Sequence, residues 1–517
     1  MDQVKILWVD DEIDYLKPHI KFLEDKGYIV YTATNSSDAI DMLKKENFDI
    51  LFLDENMPGM GGLAMLEHAR DLNISIPVVM ITKHQEEHLM EEALANRITD
   101  FLIKPVNPSQ ILLTLKKVLN EKDILKKKII DDFQKDYRQI INELSPSMSI
   151  EEWKNIYKKI VNYEVKFQSL DETIFNDTII TLKEEANDIF AKYFIQNYPN
   201  WLNNSENLDI TLSHNLLKQY LFPHLNEQSH VLFILIDNLR YDQWVMFKPV
   251  FEEYFQIINE DLYCSILPTT TEYARNSLFS GLLPNGIAQL YPNLLEGDED
   301  ISSKNQFEEE LFLNYLKRYG KNLKANFFKV LHPPMAQRYI KSINELKDNN
   351  INVLVYNFID TFAHAKTEVE LVKELAKDEI SYRAVTYNWF IHSILMDVIR
   401  WAAENYFSIF LTTDHGSVQI KNPIKIIGDR ETNTNLRFKT GKNLSVDDKK
   451  VYRVRKPEQI GLPIQNVSDS YVFALRYDFF VYPNNYQYYS KYFADSFQHG
   501  GISLEENLVP HVFMKPK

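Results

Sequence analysis

The sequence predicts an α/β protein of several domains. Short apolar runs alternate with amphipathic helical stretches over roughly the first 120 residues; the alternation then stops, and it resumes from His230 to the end. In the first region, strands are expected at 4–9, 29–32, 50–53, 78–81 and 101–103. This fivefold βα repeat calls for a doubly wound, five-stranded parallel sheet. Residues 109–144 read as one helix with no internal Pro or Gly, punctuated by Ser145-Pro146, and further helices are expected at 150–167, 170–197 and 205–221. Together they predict a helical bundle connector. Strands at 231–237, 325–330, 351–359 and 407–413, with helices at 271–280, 306–318 and 369–400, then predict a second, larger α/β domain. Between Val418 and Tyr471 the pattern is lost amid Lys, Asn, Asp and Gly, as in an insertion near the loops that gather at strand ends. The expected domains are 1–122, 123–225 and 226–517.

A chain of 517 residues is too long for one hydrophobic core, and 45% apolar with 25% charged residues is a globular balance. Acids outnumber bases 73 to 57, a formal charge of -16, which argues against direct DNA binding because such binding rests on cations that neutralise phosphates. No helix-turn-helix pattern follows residue 120. The single cysteine, Cys264, excludes an internal disulfide, and the N-terminus carries no signal-like apolar core. No apolar stretch approaches the ~20 residues of a membrane span. A cytoplasmic protein with no membrane attachment of its own is expected.

Chemistry-bearing residues gather at the carboxyl ends of the expected strands. Asp10 and Asp11 follow the first, Asp54 ends the third, Thr82 follows the fourth and Lys104 the fifth, so all reach one rim of the sheet. One acidic strand-end loop is usually only solvated, whereas converging carboxylates repel unless a divalent cation sits among them. Oxygen-only ligands suit Mg²⁺. Lys104 and Thr82 then offer a point charge and a hydroxyl to a phosphoryl group on Asp54. The segments VDDE (9–12), LDENMPGMGG (53–62), IT (81–82) and FLIKP (101–105) resemble the receiver domain of response regulators. The resemblance implies phosphorylation of Asp54 by a sensor histidine kinase, with Mg²⁺ on Asp10, Asp11, Asp54 and the backbone carbonyl of Asn56. It also implies Thr82 and Phe101 as a switch pair and a cis peptide at Lys104-Pro105.

The larger domain concentrates Asp237 in FILIDNLR, three threonines in LPTTTEYARN, Asp360 and His364 in FIDTFAH, Asp414 and His415 in LTTDHG, and His499 in QHGGIS. Singly these are weak, since a lone His is more often a core or surface residue than a ligand. Together, three Asp and three His match the mixed N/O set of two Zn²⁺ ions that keep open positions for substrate. Asp360 and His364 are one helical turn apart, and Gly500 and Gly501 allow close backbone approach beside His499.

The ordered set resembles the alkaline phosphatase superfamily across about 230–517, most closely its PglZ-like branch, which HGGISLEE at 499–506 matches. The resemblance implies one zinc on Asp237, Asp414 and His415, with Thr271 as ligand and nucleophile, and a second on Asp360, His364 and His499. Thr271 is preferred to Thr269 and Thr270, which read as turn residues, because it opens an expected helix whose free N–H groups favour phosphate. Arg275, one turn further on, and Asn276 are candidates for binding a phosphoryl oxygen; a structural ion pair is the commoner use of such an Arg. With no compact Lys/Arg cluster beside Thr271, the expected substrate is a phosphodiester, a small or cyclic nucleotide. Tyr273 and the tyrosine-rich stretch 477–492 are candidate stacking surfaces, although such stretches are more often core.

A receiver, a helical connector and a PglZ-like domain in this order resemble the PorX-like response regulators associated with type IX secretion. The function this implies is a phosphorylation-regulated zinc phosphodiesterase or phosphatase. It would form a phosphorylation-dependent homodimer and act with a sigma factor or secretion-system component. The alternative is a catalytically weak zinc- or nucleotide-binding module that signals by dimerisation and docking.

Overall fold

The computed structural model describes residues 3–72, 74, 76–83, 98–170, 175–203, 210–292, 306–428, 433–464 and 470–517. The chain forms two compact units, 1–136 and 137–517.

In the first unit, β1 (Lys5–Val9), β2 (Ile29–Ala33), β3 (Ile50–Asp54), β4 (Val78–Thr82) and β5 (Asp100–Ile103) make a parallel sheet in the order β2-β1-β3-β4-β5. The central strands are buried on both faces, which is why they read as continuous apolar runs. One face packs Leu7, Val9, Leu51, Leu53 and Met80 with residues of α2 (Ser36–Lys45) and α3 (Gly62–Asp71). The other packs Ile6, Trp8, Phe52 and Ile81 with Leu23 of α1 (Lys17–Glu24) and with Ile111 and Leu115 of α4 (Pro108–Glu143). Strand order reverses between β1 and β3, and the loops after these two strands open the crevice where an open α/β sheet places its ligands.

The second unit contains α5 (Ile150–Ser169), started by a Ser149–Glu152 capping box, and α6 (Asn176–Asn203). Trp153 of α5 packs edge-on against Phe190 of α6. The sheet beside them runs β7-β18-β10-β6-β9-β8: β6 (Val231–Ile236), β7 (Phe255–Cys264), β8 (Ala325–Val330), β9 (Ile351–Tyr356), β10 (Ser408–Thr412) and β18 (Leu508–Pro516). The middle is parallel, whereas β18 pairs antiparallel with both β10 and β7. Every residue of β6 is buried, and so is every residue of β9. The connector helices are tied to this sheet: Lys154 and Lys158 of α5 reach Asp261 of β7 at 3.0 and 2.5 Å.

Several expectations need correction. The strand expected to reach Ile359 stops at Tyr356, because Phe358 opens α10 (Phe358–Glu368), after α7 (Tyr241–Tyr254), α8 (Asn276–Ser280) and α9 (Glu308–Arg318). The single helix expected over 369–400 is three, broken where the Asp378 and Ser393 side chains cap new starts: Glu370–Leu375, then α11 (Glu379–His392), then Ile394–Glu404. Of the helix expected at 205–221, residues 205–209 lie outside the described residues and the rest is helical only from Ser213. The start of the helix expected at 170–197 lies partly outside them too; what is described runs Asn176–Asn203.

The region 418–471 holds short strands, not an unpatterned insertion. They are β11 (Val418–Gln419), β12 (Asn422–Lys425), β13 (Phe438–Gly441), β14 (Val451–Val454) and the start of β15 (Ser470–Ala474), and β13-β15-β14 form an antiparallel sheet. β16 (Asp478–Val481) and β17 (Phe497–Gln498) pair with β12 and β11. Alternation fails to announce strands only two to four residues long. Among the described residues, no helix is long and apolar enough to cross a membrane.

Candidate functional site

In the first unit, Asp10, Asp11 and Asp54 offer carboxylate oxygens within 4.8 Å of one another. Lys104 Nζ lies 3.0 Å from Asp10 Oδ2 and 2.8 Å from Asp54 Oδ2. Asp10 and Asp54 are buried and Asp11 is exposed, so the pocket opens on one side. Asp54 Oδ1 is buried without a hydrogen-bond partner, an acceptor left free at the position that would carry a phosphoryl group. Burial, with Asp10 close by, raises the pKa of Asp54 against the pull of Lys104. An all-oxygen donor set with one exposed member fits Mg²⁺. Thr82 is buried at the end of β4, Phe101 packs against the α2–α3 face, Asn56 is exposed in the loop after β3, and Lys104-Pro105 is cis.

In the second unit, the strands deliver two further triads whose donor atoms likewise lie within 4.8 Å of one another: Asp237, Asp414 and His415, and Asp360, His364 and His499. Asp237 follows β6, Asp414 and His415 follow β10, and Asp360 sits in the first turn of α10 just beyond β9, so three neighbouring strands end at one place. The triads adjoin: the His415 and His499 rings stack at 4.3 Å, and Asn238 Nδ2 donates to Asp360 Oδ1 at 3.3 Å while its backbone N–H faces Asp414 Oδ1 at 3.4 Å. Asn238, in the left-handed region at φ 63°, thus bridges them.

The donor chemistry fits a metal of the zinc kind. His415 Nδ1 lies 3.1 Å from the Gly416 carbonyl and His499 Nδ1 3.2 Å from the Thr269 carbonyl. A carbonyl can only accept, so each Nδ1 carries a proton; neutral His415 keeps its Nε2 lone pair for the site, while His499 Nε2 faces Asp360 Oδ1 at 3.4 Å. Burial lowers His415 to about 4, which keeps it neutral. His499 is raised: burial opposes its charge, but the hydrogen bond and charge of Asp360 outweigh it. Asp237 is held well above the usual carboxylate range by burial and by Asp414 and Asp360, despite Arg275. Crowded carboxylates of this kind call for a cation. His364, whose side chain is 58% exposed, stands at the open edge.

Thr271 Oγ1 lies 3.2 Å from His415 Nε2 and 3.5 Å from Asp237 Oδ1, at the mouth of the first triad. The expected helix begins here as a π turn, Thr271–Arg275, before α8. That turn carries Arg275 beneath the site instead of into it. Arg275 is fully buried, donates through Nε to Asp414 Oδ2 at 2.9 Å, pairs with Asp237 through Nη2, and lies 3.4 Å from Glu308. Its guanidinium is therefore placed to neutralise carboxylates and not to meet a substrate oxygen. Asn276 is also buried, with Nδ2 donating to the Glu272 carbonyl at 2.9 Å. Tyr273 reaches the Tyr471 hydroxyl at 3.4 Å. Tyr477 is core, its hydroxyl 2.9 Å from Asn187, whereas Tyr488 and Tyr489 are exposed.

Sequence reading missed the supports of the His499 loop. Thr269, read as a turn residue, accepts the Gly500 N–H through Oγ1 at 2.9 Å besides receiving His499. Glu506 accepts the Gly501 N–H at 2.9 Å and pairs with buried Arg437 at 2.5 Å. A Cβ on Gly416 or on Gly501 would overlap a carbonyl oxygen, of Glu505 and Ala474 respectively. The signal available was the LEEN at 504–507: charged residues shortly after a glycine pair, leading into a strand.

Three family models match the chain in order: the response regulator receiver domain over 6–116, the PorX response regulator linker domain over 123–202, and the BREX system PglZ alkaline phosphatase-like domain over 216–514. Among curated proteins, the transcriptional regulatory protein ZraR of Escherichia coli K12 is 33% identical over 118 residues, 23% of this chain and 27% of that protein. The alginate biosynthesis transcriptional regulatory protein AlgB of Pseudomonas aeruginosa is 34% identical over 122 residues, 24% of this chain and 27% of that protein. The chain thus spans about a quarter of the length of the curated relatives it matches. A solved structure of the chemotaxis protein CheY4 of Vibrio cholerae is 33% identical with a TM-score of 0.22, over 23% of this chain and 99% of that one. A receiver implies a partnering sensor kinase, and an alkaline phosphatase-like domain implies phosphoester chemistry supported by metal ions. With its PglZ match covering more than half of its length, the chain belongs to the PglZ alkaline phosphatase-like family, and it carries that domain behind a receiver and a linker in the PorX-like order of a response regulator.

Proposed function

We propose that this response regulator is phosphorylated on Asp54 by a histidine kinase in the cytoplasm, and that its PglZ domain is a zinc-dependent phosphodiesterase acting on small or cyclic nucleotides. The observation that carries the enzymatic half is Thr271 Oγ1 at 3.2 Å from His415 Nε2, at the mouth of two adjoining Asp/His triads. Zinc on the two triads would lower the pKa of the Thr271 hydroxyl and offset the charge of the phosphoryl oxygens. Thr271 Oγ attacks phosphorus in line, the P–Oγ bond forms, and the bond to the departing ester oxygen breaks. Water then hydrolyses the phosphothreonine and restores the hydroxyl. Asp237, Asp414 and His415 would hold one ion, Asp360, His364 and His499 the other, and Asn238 keeps the two sets in register.

The diester preference rests on Arg275. The cation that helical spacing set beside Thr271 is spent on Asp237 and Asp414, which suits a singly charged diester better than a dianionic monoester. In the receiver, Asp10, Asp11, Asp54 and the Asn56 carbonyl would hold Mg²⁺, Lys104 would hold the phosphoryl group, and Thr82 and Phe101 would respond to it. The output is a phosphorylation-driven homodimer that regulates type IX secretion through a sigma factor or secretion component.

Elemental analysis of chain purified without chelator is expected to give about two zinc per chain. Hydrolysis of chromogenic mono- and diesters and of a nucleotide panel is expected to favour diesters, and Thr271→Ala to lower it roughly 1,000-fold or more with zinc retained. Unchanged turnover in Thr271→Ala would falsify the mechanism. Two bound zinc ions with no turnover on any ester would favour the binding-module alternative.

A further inference from the structure

Asn187, on the connector helix α6, is 0% exposed. Its Oδ1 accepts the Leu504 N–H at 2.8 Å, and its Nδ2 donates to the Tyr477 hydroxyl at 2.9 Å and to Glu505 Oε2 at 3.1 Å. Lys183, one turn earlier on α6, lies 3.3 Å from Glu505 Oε1. Glu505 is 1% exposed, so its carboxylate is held by the connector and not by water. Glu505 belongs to the turn that follows His499, and this turn touches both triads. On one side Glu506 fixes the Gly501 N–H, two residues from His499; on the other the Glu506 carbonyl accepts the Gly416 N–H at 3.2 Å, and the Glu505 carbonyl packs against Gly416, next to His415. Buried polar groups of this number are costly unless each is matched, and a packing role at position 187 would be met by an apolar side chain of equal volume.

We infer that connector helix α6 is a working part of the metal site: Asn187, with Lys183, is a positioning residue that holds Glu505 and so fixes the loop carrying His499. The inference rests on reading His499 as a ligand. It makes the connector more than a spacer, since any displacement of α6 along its axis is passed to His499 through one turn of chain. The Asp360, His364 and His499 ion is the dependent one. Asp237 and Asp414 follow central strands of the six-stranded sheet, while His499 follows the two-residue β17, which pairs with the equally short β11 outside that sheet.

Zinc titration of the full chain, by competition with a chromophoric chelator, tests this. The wild type is expected to bind two ions. Asn187→Leu fills the same volume with none of the hydrogen bonds; it is expected to keep one ion at wild-type affinity and to bind the other about tenfold or more weakly, with a cooperative melting transition retained. Two ions at unchanged affinity in a folded Asn187→Leu chain would overturn the inference. If that variant does not fold, Glu505→Gln, which keeps the volume and the acceptor for Asn187 but loses the Lys183 charge pair, is expected to weaken the same ion by a smaller factor; unchanged affinities there would overturn it equally. A wild-type chain that binds fewer than two zinc ions would sink the ligand assignment itself, a failure distinct from the loss of the connector's role.

Discussion

The receiver pocket and the paired triads solve one problem in two ways. Both gather carboxylates at the ends of parallel strands, where mutual repulsion must be offset. The receiver uses a single lysine: Lys104 spans Asp10 and Asp54, Asp11 stays in solvent, and Asp54 Oδ1 remains without a partner. Such a pocket can take up and release a small anion and a hydrated cation, as a switch needs. The PglZ domain buries Asp237 and Asp414 completely, places Arg275 beneath them, and orients His415 and His499 through carbonyls so that both Nε2 atoms face the site. That is the architecture of a resident ion. The difference lies in solvent access and in where the compensating charge comes from, more than in the acids themselves.

The sharpest way to break this comparison is Asp54→Asn, which is expected to abolish uptake of phosphoryl or beryllofluoride, read by phosphate-affinity electrophoresis or fluorescence, while the zinc content stays at wild-type level. Loss of zinc together with phosphorylation would show that the two sites are not chemically separate. Next in size is Arg275→Met. Removing one partner of a fully buried ion cluster typically costs about 3–5 kcal/mol, so chemical denaturation should show a loss of that order in zinc-free chain. Added zinc should recover part of it, because the ion takes over the charge of Arg275; a variant as stable as wild type without zinc would mean that Asp237 and Asp414 are not held by Arg275.

The smallest effect, read over a single pH unit, concerns acid sensitivity. Burial lowers His214 to about 4 and His511 to about 3. Both are neutral when folded and regain a pKa near 6.5 when unfolded, so the unfolded chain binds the extra protons. Their contribution is complete above about pH 6.5 and is lost as the pH falls toward 4 and then 3, by roughly 1.4 kcal/mol per pH unit for each histidine. Urea melts across that range should show the loss in the second unit, and His511→Phe should flatten the profile; an identical slope in the variant would remove His511 from the account.

Much of this molecule was legible beforehand. Asp10, Asp11, Asp54, Thr82 and Lys104 could be placed on one rim because every strand of the receiver ends in a loop on the same side, and βα repeats state this in apolar periodicity. Asp360 and His364 could be paired because four residues make one helical turn. The short strands β11 to β14 left no such trace, since two to four residues carry too little alternation to rise above loop composition. β7 escaped for another reason: its polar residues Glu260 and Asp261 find partners in Lys248, Lys154 and Lys158, which lie on two helices.

The sequence by itself determined which residues could form the two sites, since residue type and position after a strand depend on local chain alone. Tertiary structure alone decided what each does with its neighbours. It settled Arg275, a candidate substrate contact or structural ion pair, as the counter-ion of Asp237 and Asp414, because those carboxylates, carried by two other strands, lie within reach of its buried guanidinium. It also gave Asn187 a role at a loop 317 residues away, because hydrogen bonds between buried groups depend on distances in space that no periodicity in the chain encodes.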